Sequence, residues 1–336
     1  MKEKIFVITF SILLLACVGT FCSTASAEVQ FTDTAGSLIT LPNIAQQVVC
    51  LNSDAAEVMV ALGAGDRVVG VTDSTMRDTA LMSHLPQAVS VGTWDTPSLE
   101  KVLELKPDVV IMYSSSPPKN ADLFETAGIA LVALDCYRIT TLEGDVSALG
   151  MMIGAEEKAA EYIDFFNSWE DMIIEGVMTI PDEDIPTVYI EGYTDYAAQG
   201  TNSGIDLMLS IAKGANIASD LGEQWPKVTP EWVLMQDPAI ILKVCSPTDE
   251  ISTEDVWNNV MARKGFETLQ AVQSEDVYVI NGDLAYGPRS IAGLVYVARA
   301  LHPSFFDDIH PIDVLLEYDE RFVSGVTGWD YYSPYL

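Results

Sequence analysis

Several loops that follow apolar, strand-like runs carry aromatic, amide and charged side chains suited to holding a small molecule. Such groups bind and orient a ligand, but without an activated nucleophile or a metal they catalyse nothing. The predicted ligand-binding residues in these loops are Asn52, Ser53, Tyr113, Tyr137, Arg138, Tyr193, Tyr196, Asp283, Tyr286 and Arg289. Parallel strands must position them, because the carboxyl ends of such strands meet at one sheet edge, where open α/β proteins bind ligands.

The two arginines in this set, Arg138 and Arg289, stand out because the chain has only 17 basic side chains in total. A guanidinium forms two parallel hydrogen bonds with a carboxylate or phosphate, which suits contact with an acidic ligand. Either arginine can instead cap a helix or pair with one of the many acidic residues.

One sequence pattern occurs twice in the chain. WDTPSLEKVLELKPDVVI begins at Trp94, WPKVTPEWVLMQDPAIIL begins at Trp225, and the two align without a gap. Each copy also has a glutamate, Glu100 or Glu231, two residues after a Ser or Thr. Because internal similarity of this kind indicates equivalent structural units, we predict two lobes that share one helix–strand motif.

The paired residues have a structural and a functional interpretation. Trp94 and Trp225 either join the core or line a crevice between the lobes, and we include them in the predicted ligand site. Glu100 and Glu231 fall in the first turn of a helix, where a carboxylate contributes about 0.3–1 kcal/mol through the helix dipole. Their matching places also suit docking onto a partner built from two equal, basic-faced subunits.

Signatures of enzymes and metal centres are weak. The chain has no G-x-G-x-x-G spacing, no P-loop and no G-x-S-x-G motif, and its three histidines form no H-x-x-x-H pair. Cys50, Cys136 and Cys245 are expected to be buried thiols, with one disulfide and one free thiol as the alternative. We therefore predict a binding protein that is not an enzyme and uses no cofactor or protein-bound metal.

The composition and the first residues indicate an acidic, exported protein. A formal net charge of −32 argues against a nucleic-acid partner, because phosphate binding requires basic patches. Residues 1–27 have a charged start, an apolar run and a small-residue end, which is typical of a signal peptide cleaved after Ala27. The alternative is a lipoprotein-type site that leaves Cys17 lipidated. Either way we expect a periplasmic protein or one at the outer face of the cytoplasmic membrane.

The apolar pattern predicts two α/β lobes. After a hairpin at Ala35-Gly36, wholly apolar strands alternate with helices, which indicates parallel sheets covered on both faces. Glu156 to Met178 has helical spacing and no proline, and predicts one helix of about 35 Å. We predict two doubly wound α/β lobes joined by a single long bridging helix. The expected segments are the signal peptide 1–27, the N-terminal lobe 28–150, the bridging helix 151–181 and the C-terminal lobe 182–336.

The stretch VVCLNSDAAEVMVALGAGDRVVGVTD, both repeat copies and the long helix resemble the iron-chelate and cobalamin-binding proteins of ABC importers. The resemblance covers nearly all of the chain after the signal peptide. It implies two lobes on a rigid helix that trap a metal chelate and deliver it to a dimeric permease, whose arginines engage Glu100 and Glu231.

The resemblance leaves the ligand open among an iron siderophore, haem and a cobalamin-type corrinoid. Trp94, Trp225 and Asp283 match cleft positions of the cobalamin-binding members, whose tryptophans line the corrin pocket. YIEGYTDYAAQGTNSGIDLML looks more like the iron-chelate branch, and Lys213-Gly214-Ala215-Asn216 departs from the family's paired glycines. The alternatives are a sensor or structural subunit with the same lobes and, less favoured, a secreted enzyme. We expect a monomer whose aromatic tail, TGWDYYSPYL, packs against the second lobe.

Overall fold

The computed structural model describes residues 28–246, 251–325 and 331–334. The predicted signal peptide, with both candidate processing sites at Cys17 and Ala27, lies outside these ranges. Within them, no helix combines the length and the apolar character needed to span a membrane.

The N-terminal lobe is a five-stranded parallel sheet that is buried on both faces. The chain opens with an antiparallel hairpin of β1 (Val29–Thr32) and β2 (Leu38–Leu41), and the sheet strands are β3 (Val48–Cys50), β4 (Val68–Val71), β5 (Val89–Ser90), β6 (Val109–Met112) and β7 (Ala130–Ala133). The helices are α1 (Ser53–Ala61), α2 (Thr79–Ser83), α3 (Leu99–Leu105), α4 (Ala121–Thr126) and α5 (Leu142–Ile153). The strand order is β5-β4-β3-β6-β7. Successive residues of one strand, such as Val48 and Val49, belong to separate apolar clusters on the two faces.

The C-terminal lobe repeats this plan with one antiparallel edge strand. Its strands are β8 (Thr187–Glu191), β9 (Ala215–Asn216), β10 (Ile240–Cys245), β11 (Val277–Asn281) and β12 (Tyr332–Ser333), and its helices are α7 (Gly204–Ile211), α8 (Pro230–Gln236), α9 (Thr253–Met261), α10 (Gln270–Gln273), α11 (Gly282–Ala285), α12 (Ser290–Leu301) and α13 (Pro311–Arg321). The strand order is β12-β11-β10-β8-β9, and only β12 runs antiparallel to its neighbour. The described part of the tail, 331–334, therefore packs against this lobe, as expected.

A 22-residue helix, α6 (Glu156–Val177), follows the first lobe and contacts both lobes. Its buried face packs against α5 of the first lobe and α12 of the second. One apolar cluster extends from the first lobe through α6 into the second lobe. The helix thus behaves as a stiff connection, because bending it would open a packed core.

The predicted fold class is confirmed, and the long helix ends one residue before the predicted end. The predicted domain boundaries stay a prediction, although the segment 151–181 includes the last turn of α5 as well as α6. Asn52 caps α1, because its side-chain oxygen accepts a hydrogen bond from the Ala55 amide.

The two repeat copies have the same local structure. Ser98 and Thr229 cap α3 and α8 through their hydroxyls, which places Glu100 and Glu231 at the second helical position of each. Both helices end at a left-handed residue, Lys106 or Asp237, that precedes a proline. The repeated sequence therefore encodes one helix–strand unit in each lobe.

Candidate functional site

A cavity of about 660 Å³ lies between the lobes, at the carboxyl edge of both sheets. Most of the predicted ligand-binding residues are on its wall, namely Ser53, Trp94, Tyr113, Tyr137, Tyr193, Trp225, Asp283, Tyr286 and Arg289. They come from the loops or first helical turns after β3, β5, β6, β7, β8 and β11 and from the loop before α8. Converging strand ends bring together residues that are far apart in the chain. Their contact with a ligand stays a prediction.

Aromatic rings form both sides of this cavity. In the first lobe Trp94, Tyr113 and Tyr137 follow one another edge to face, with successive ring centroids 6.0 Å apart. In the second lobe the rings of Tyr193 and Tyr286 are 6.3 Å apart. Trp94 and Trp225 are 42% and 65% exposed, so both indoles offer accessible aromatic surface to a flat, apolar ligand.

Three predicted ligand-binding residues do not line the cavity. The Asn52 side chain is buried, where it caps α1 and donates to the carbonyl of Leu134 at 3.0 Å. Tyr196 packs into the second lobe beside Phe266. The Nε of Arg138 donates to the Tyr137 hydroxyl at 2.9 Å, so this arginine reaches the cavity only through a lining residue. All three were predicted to bind ligand because of their residue type and their position after a strand. The direction of each side chain, which the sequence does not show, places it outside the cavity.

The cavity floor is acidic, which the sequence analysis missed. Asp54, Glu57, Asp78 and Asp283 line it, and among the described lining residues only Arg289 carries a positive charge. The spacing of Asp54 and Glu57, three residues apart on one helix, was a usable signal, because it places both on one helix face. The cavity thus disfavours anionic groups and suits cations or hydrogen-bond donors.

Arg289 is paired with protein groups, which is the alternative that the sequence left open to contact with an acidic ligand. Its Nε and Nη2 donate to the two carboxylate oxygens of Glu57 at 2.9 and 2.8 Å. Its Nη1 donates to the Tyr331 hydroxyl at 2.8 Å and lies 3.4 Å from Asp283. The fork that would hold a ligand carboxylate is therefore occupied, although the residue is part of the cavity wall.

Burial raises the pKa of Asp54 to about 8, and the neighbouring Glu57 and Asp283 carboxylates add to this increase. Burial also raises the pKa of Asp283, which the Arg289 guanidinium partly offsets. At neutral pH Asp54 is thus mostly a neutral acid, which both donates and accepts a hydrogen bond. Its low charge also limits repulsion within the acidic floor.

We expect the Asp54→Asn variant to gain stability over the wild type as pH rises. The pKa of Asp54 is near 3.8 in the unfolded chain and about 8 in the folded protein. Its contribution to stability is therefore complete below pH 3.8 and is lost as the pH rises through 8. The neutral amide avoids that loss. The difference in thermal midpoint should be small near about pH 4 and reach at least about 2 °C near about pH 9. Scanning calorimetry across this range, with the exposed Asp66→Asn as control, tests it, and a pH-independent difference would contradict it.

A second buried charge cluster supports the loop that carries Tyr193. Arg263 makes two hydrogen bonds with the buried Glu191 carboxylate, at 2.9 and 2.8 Å. Lys243 Nζ lies 2.9 Å from Glu191 and donates to the backbone carbonyl of Gly192 at 2.8 Å. Because all these charges are paired, the start of the loop 192–197 has a defined position.

The described residues contain no cluster of three or more histidine, cysteine or acidic side chains arranged to hold a metal ion. Cys50 and Cys136 are free, buried thiols, and Cys245 is also buried. Burial raises the pKa of the Cys50 thiol to about 12, so this group stays protonated.

The glutamates of the repeat are at the same sheet edge as the cavity, outside it. Glu100 and Glu231 are exposed, and within the described ranges neither side chain forms a hydrogen bond or an ion pair. Each follows a tryptophan of the cavity wall by six residues. Their carboxylates are therefore accessible to a partner that approaches the open end of the cavity.

Comparisons with known proteins give the same architecture. The chain is 29% identical over 285 residues to the uncharacterized ABC transporter substrate-binding lipoprotein YvrC of Bacillus subtilis, covering 82% of this chain and 86% of that protein. It is 25% identical over 254 residues to the vitamin B12-binding protein of Vibrio cholerae, covering 74% and 85%. The crystal structure of the TroA-like periplasmic binding protein FepB from Veillonella parvula superposes with a TM-score of 0.74 at 23% identity, over 90% of this chain and 99% of that one. The sequence profile of the periplasmic binding protein family matches residues 48–284. This chain belongs to the periplasmic binding protein family.

Proposed function

We propose that this protein is the extracytoplasmic solute-binding component of an ABC importer and that it captures a cobalamin-type corrinoid between its lobes. The observation that carries the proposal is a cavity with aromatic walls from both lobes and an acidic floor. Names of the relatives support it, since they include an ABC transporter substrate-binding lipoprotein and a vitamin B12-binding protein.

The charge of the lining favours a corrinoid over haem. Haem carries two propionates, which would enter a cavity whose only described lining cation, Arg289, is already paired with Glu57. Ferric catecholate siderophores are also anionic and meet the same carboxylates. A corrinoid has amide arms, which are uncharged and offer N–H donors to acidic side chains.

Two further features suit a ligand with amide arms. Gln199 lines the cavity, is 5% exposed, and its Oε1 has no hydrogen-bond partner among the described residues. A buried amide oxygen left without a donor is costly, so a ligand N–H in this place would stabilise the complex. The protonated Asp54 can pair with either end of a ligand amide.

The tyrosine hydroxyls of the cavity can donate hydrogen bonds to a ligand. Burial raises the pKa of Tyr113 well above its ordinary value, so its phenol is neutral. A neutral phenol of this kind can donate to an amide carbonyl of a corrinoid.

A parallel binding experiment tests the choice of ligand. Quenching of tryptophan fluorescence should give a dissociation constant of about 1 µM or tighter for cyanocobalamin, or about −8 kcal/mol. Haemin and a ferric catecholate should bind at least about 100-fold more weakly, because each adds unpaired negative charge at the acidic floor. Tighter binding of haemin would overturn the proposal. Tighter binding of ferrioxamine, a cationic iron chelate, would exclude the corrinoid and retain only the preference for non-anionic ligands.

We further propose that the mature protein is outside the cytoplasmic membrane, where an importer receives its ligand. The lipoprotein name of the Bacillus subtilis relative supports lipidation at Cys17 over cleavage after Ala27. Mass spectrometry of the mature N-terminus tests the two processing sites directly.

A further inference from the structure

The Glu57–Arg289 ion pair joins the two lobes at the floor of the cavity. Glu57 is on α1 of the first lobe, Arg289 precedes α12 of the second, and the two side chains are 5% and 7% exposed. The hydroxyl of Tyr318 donates to Glu57 at 2.8 Å. Removing one partner of a buried pair leaves an uncompensated charge, so this contact strongly constrains how the lobes sit.

The residues just before Arg289 are also attached to the first lobe and to the bridging helix. The Gly287 amide donates to the Tyr137 carbonyl at 2.9 Å, and the Tyr162 hydroxyl on α6 donates to the Pro288 carbonyl at 2.5 Å. Gly287 has a φ of +83°, and a Cβ there would lie 2.6 Å from Asp54. Segment 287–289 and Glu57 thus form one interlobe contact, which we call the interlobe clasp.

The C-terminal strand also contacts the interlobe clasp. Strand β12 pairs with β11, and the Tyr296 hydroxyl donates to the Ser333 carbonyl at 2.8 Å. This pairing places the Tyr331 hydroxyl 2.8 Å from Nη1 of Arg289, with Tyr331 only 2% exposed. Without that hydroxyl, Nη1 would face Asp283 at 3.4 Å as its remaining described partner.

We infer that the C-terminal strand contributes to the ligand site. Tyr331 on this segment positions Arg289 and so maintains the interlobe clasp. The clasp in turn sets the distance between the two cavity walls. The family profile matches residues 48–284, so it includes neither Arg289 nor Tyr331. A ligand that contacts both lobes binds less tightly when the two cavity walls shift relative to each other by a fraction of an ångström. Tyr331 is accordingly a positioning residue, and its effect on binding rests on the proposed binding function.

Hydrogen exchange in the ligand-free protein tests the clasp without any ligand. The Tyr331→Phe variant removes one hydroxyl and should speed exchange of the Gly287 amide by about 5-fold or more, since it loses a hydrogen bond to the charged Arg289 guanidinium. Tyr278→Phe is the matched control, because it removes a hydroxyl from the same sheet that is bonded only to Asp276 among the contacts described. Equal exchange at Gly287 in wild type and Tyr331→Phe would overturn the inference.

Calorimetric titration with cyanocobalamin then tests the link to binding. Tyr331→Phe should raise the dissociation constant by about 5- to 20-fold through faster release, while Tyr278→Phe stays within about twofold of the wild type. Combining Tyr331→Phe with Glu57→Gln should give less than the product of the single effects, because both act through Arg289. Faster exchange at Gly287 with an unchanged dissociation constant would refute the role in binding. A wild type that binds no probe ligand would overturn the proposed function, while the exchange result would still decide the clasp.

Discussion

Replacing Trp94 and Trp225 together with alanine should weaken ligand binding by about 100- to 1,000-fold, with little change in the thermal midpoint. Both indoles line the cavity, one on each lobe, and they are 42% and 65% exposed. Covering such a ring with a flat ligand contributes about 1.5–2 kcal/mol for each tryptophan, or about 3–4 kcal/mol for the pair. Isothermal titration calorimetry is the suitable measurement, because the variant loses the fluorescent groups that report binding.

Phe305→Ala is the matched control for this loss of aromatic surface. Phe305 is 50% exposed and follows α12, away from the cavity wall. Its removal should leave the dissociation constant within about twofold, since no ligand contact is lost. Comparable affinities for the double tryptophan variant and the Phe305 control would show that the indoles do not hold the ligand.

Reversing the charge of Glu100 and Glu231 together should abolish uptake and leave ligand affinity unchanged. The two carboxylates are exposed at matching helix starts, outside the cavity, and form no described ion pair. If they pair with basic side chains of two permease subunits, lysine at both sites places like charges in contact, which costs several kcal/mol. Uptake of labelled cobalamin in cells and titration of the purified variant measure the two properties separately.

A control with the same change in net charge separates docking from general electrostatics. Glu125 and Glu183 are exposed near the opposite edge of the two sheets, just before β7 and β8. Lysine at both of these positions should leave uptake near the wild-type rate. Normal uptake by the Glu100→Lys/Glu231→Lys variant would remove the docking role and favour the sensor or structural subunit.

The local elements of this fold were predictable because their signals are local. Periodic apolar residues and the absence of proline predicted α6, and the Ser98 and Thr229 caps predicted where α3 and α8 begin. Apolar strands between helices predicted the parallel sheets. Each of these patterns reports hydrogen bonding and burial within a few neighbouring residues.

The cavity wall was partly predictable for a topological reason. Loops after parallel strands meet at one edge whatever their distance in sequence, so residues such as Tyr113, Tyr193 and Tyr286 could be grouped before any coordinates. No comparable rule predicts the direction in which a side chain points after the end of a strand. Asn52 turned inward to cap its own helix, and Tyr196 turned into the second lobe.

The sequence by itself determined two similar α/β lobes, one long helix and an aromatic-rich edge, because these depend on periodicity and on the fixed polarity of parallel strands. Only the tertiary structure decided that Arg289 pairs with Glu57, a residue 232 positions away, and that Tyr331 of the tail completes this pair. Such contacts depend on which charges become buried together. The loss of solvent favours an ion pair between two charges only after the lobes have packed around them. No local sequence pattern therefore predicts this pairing.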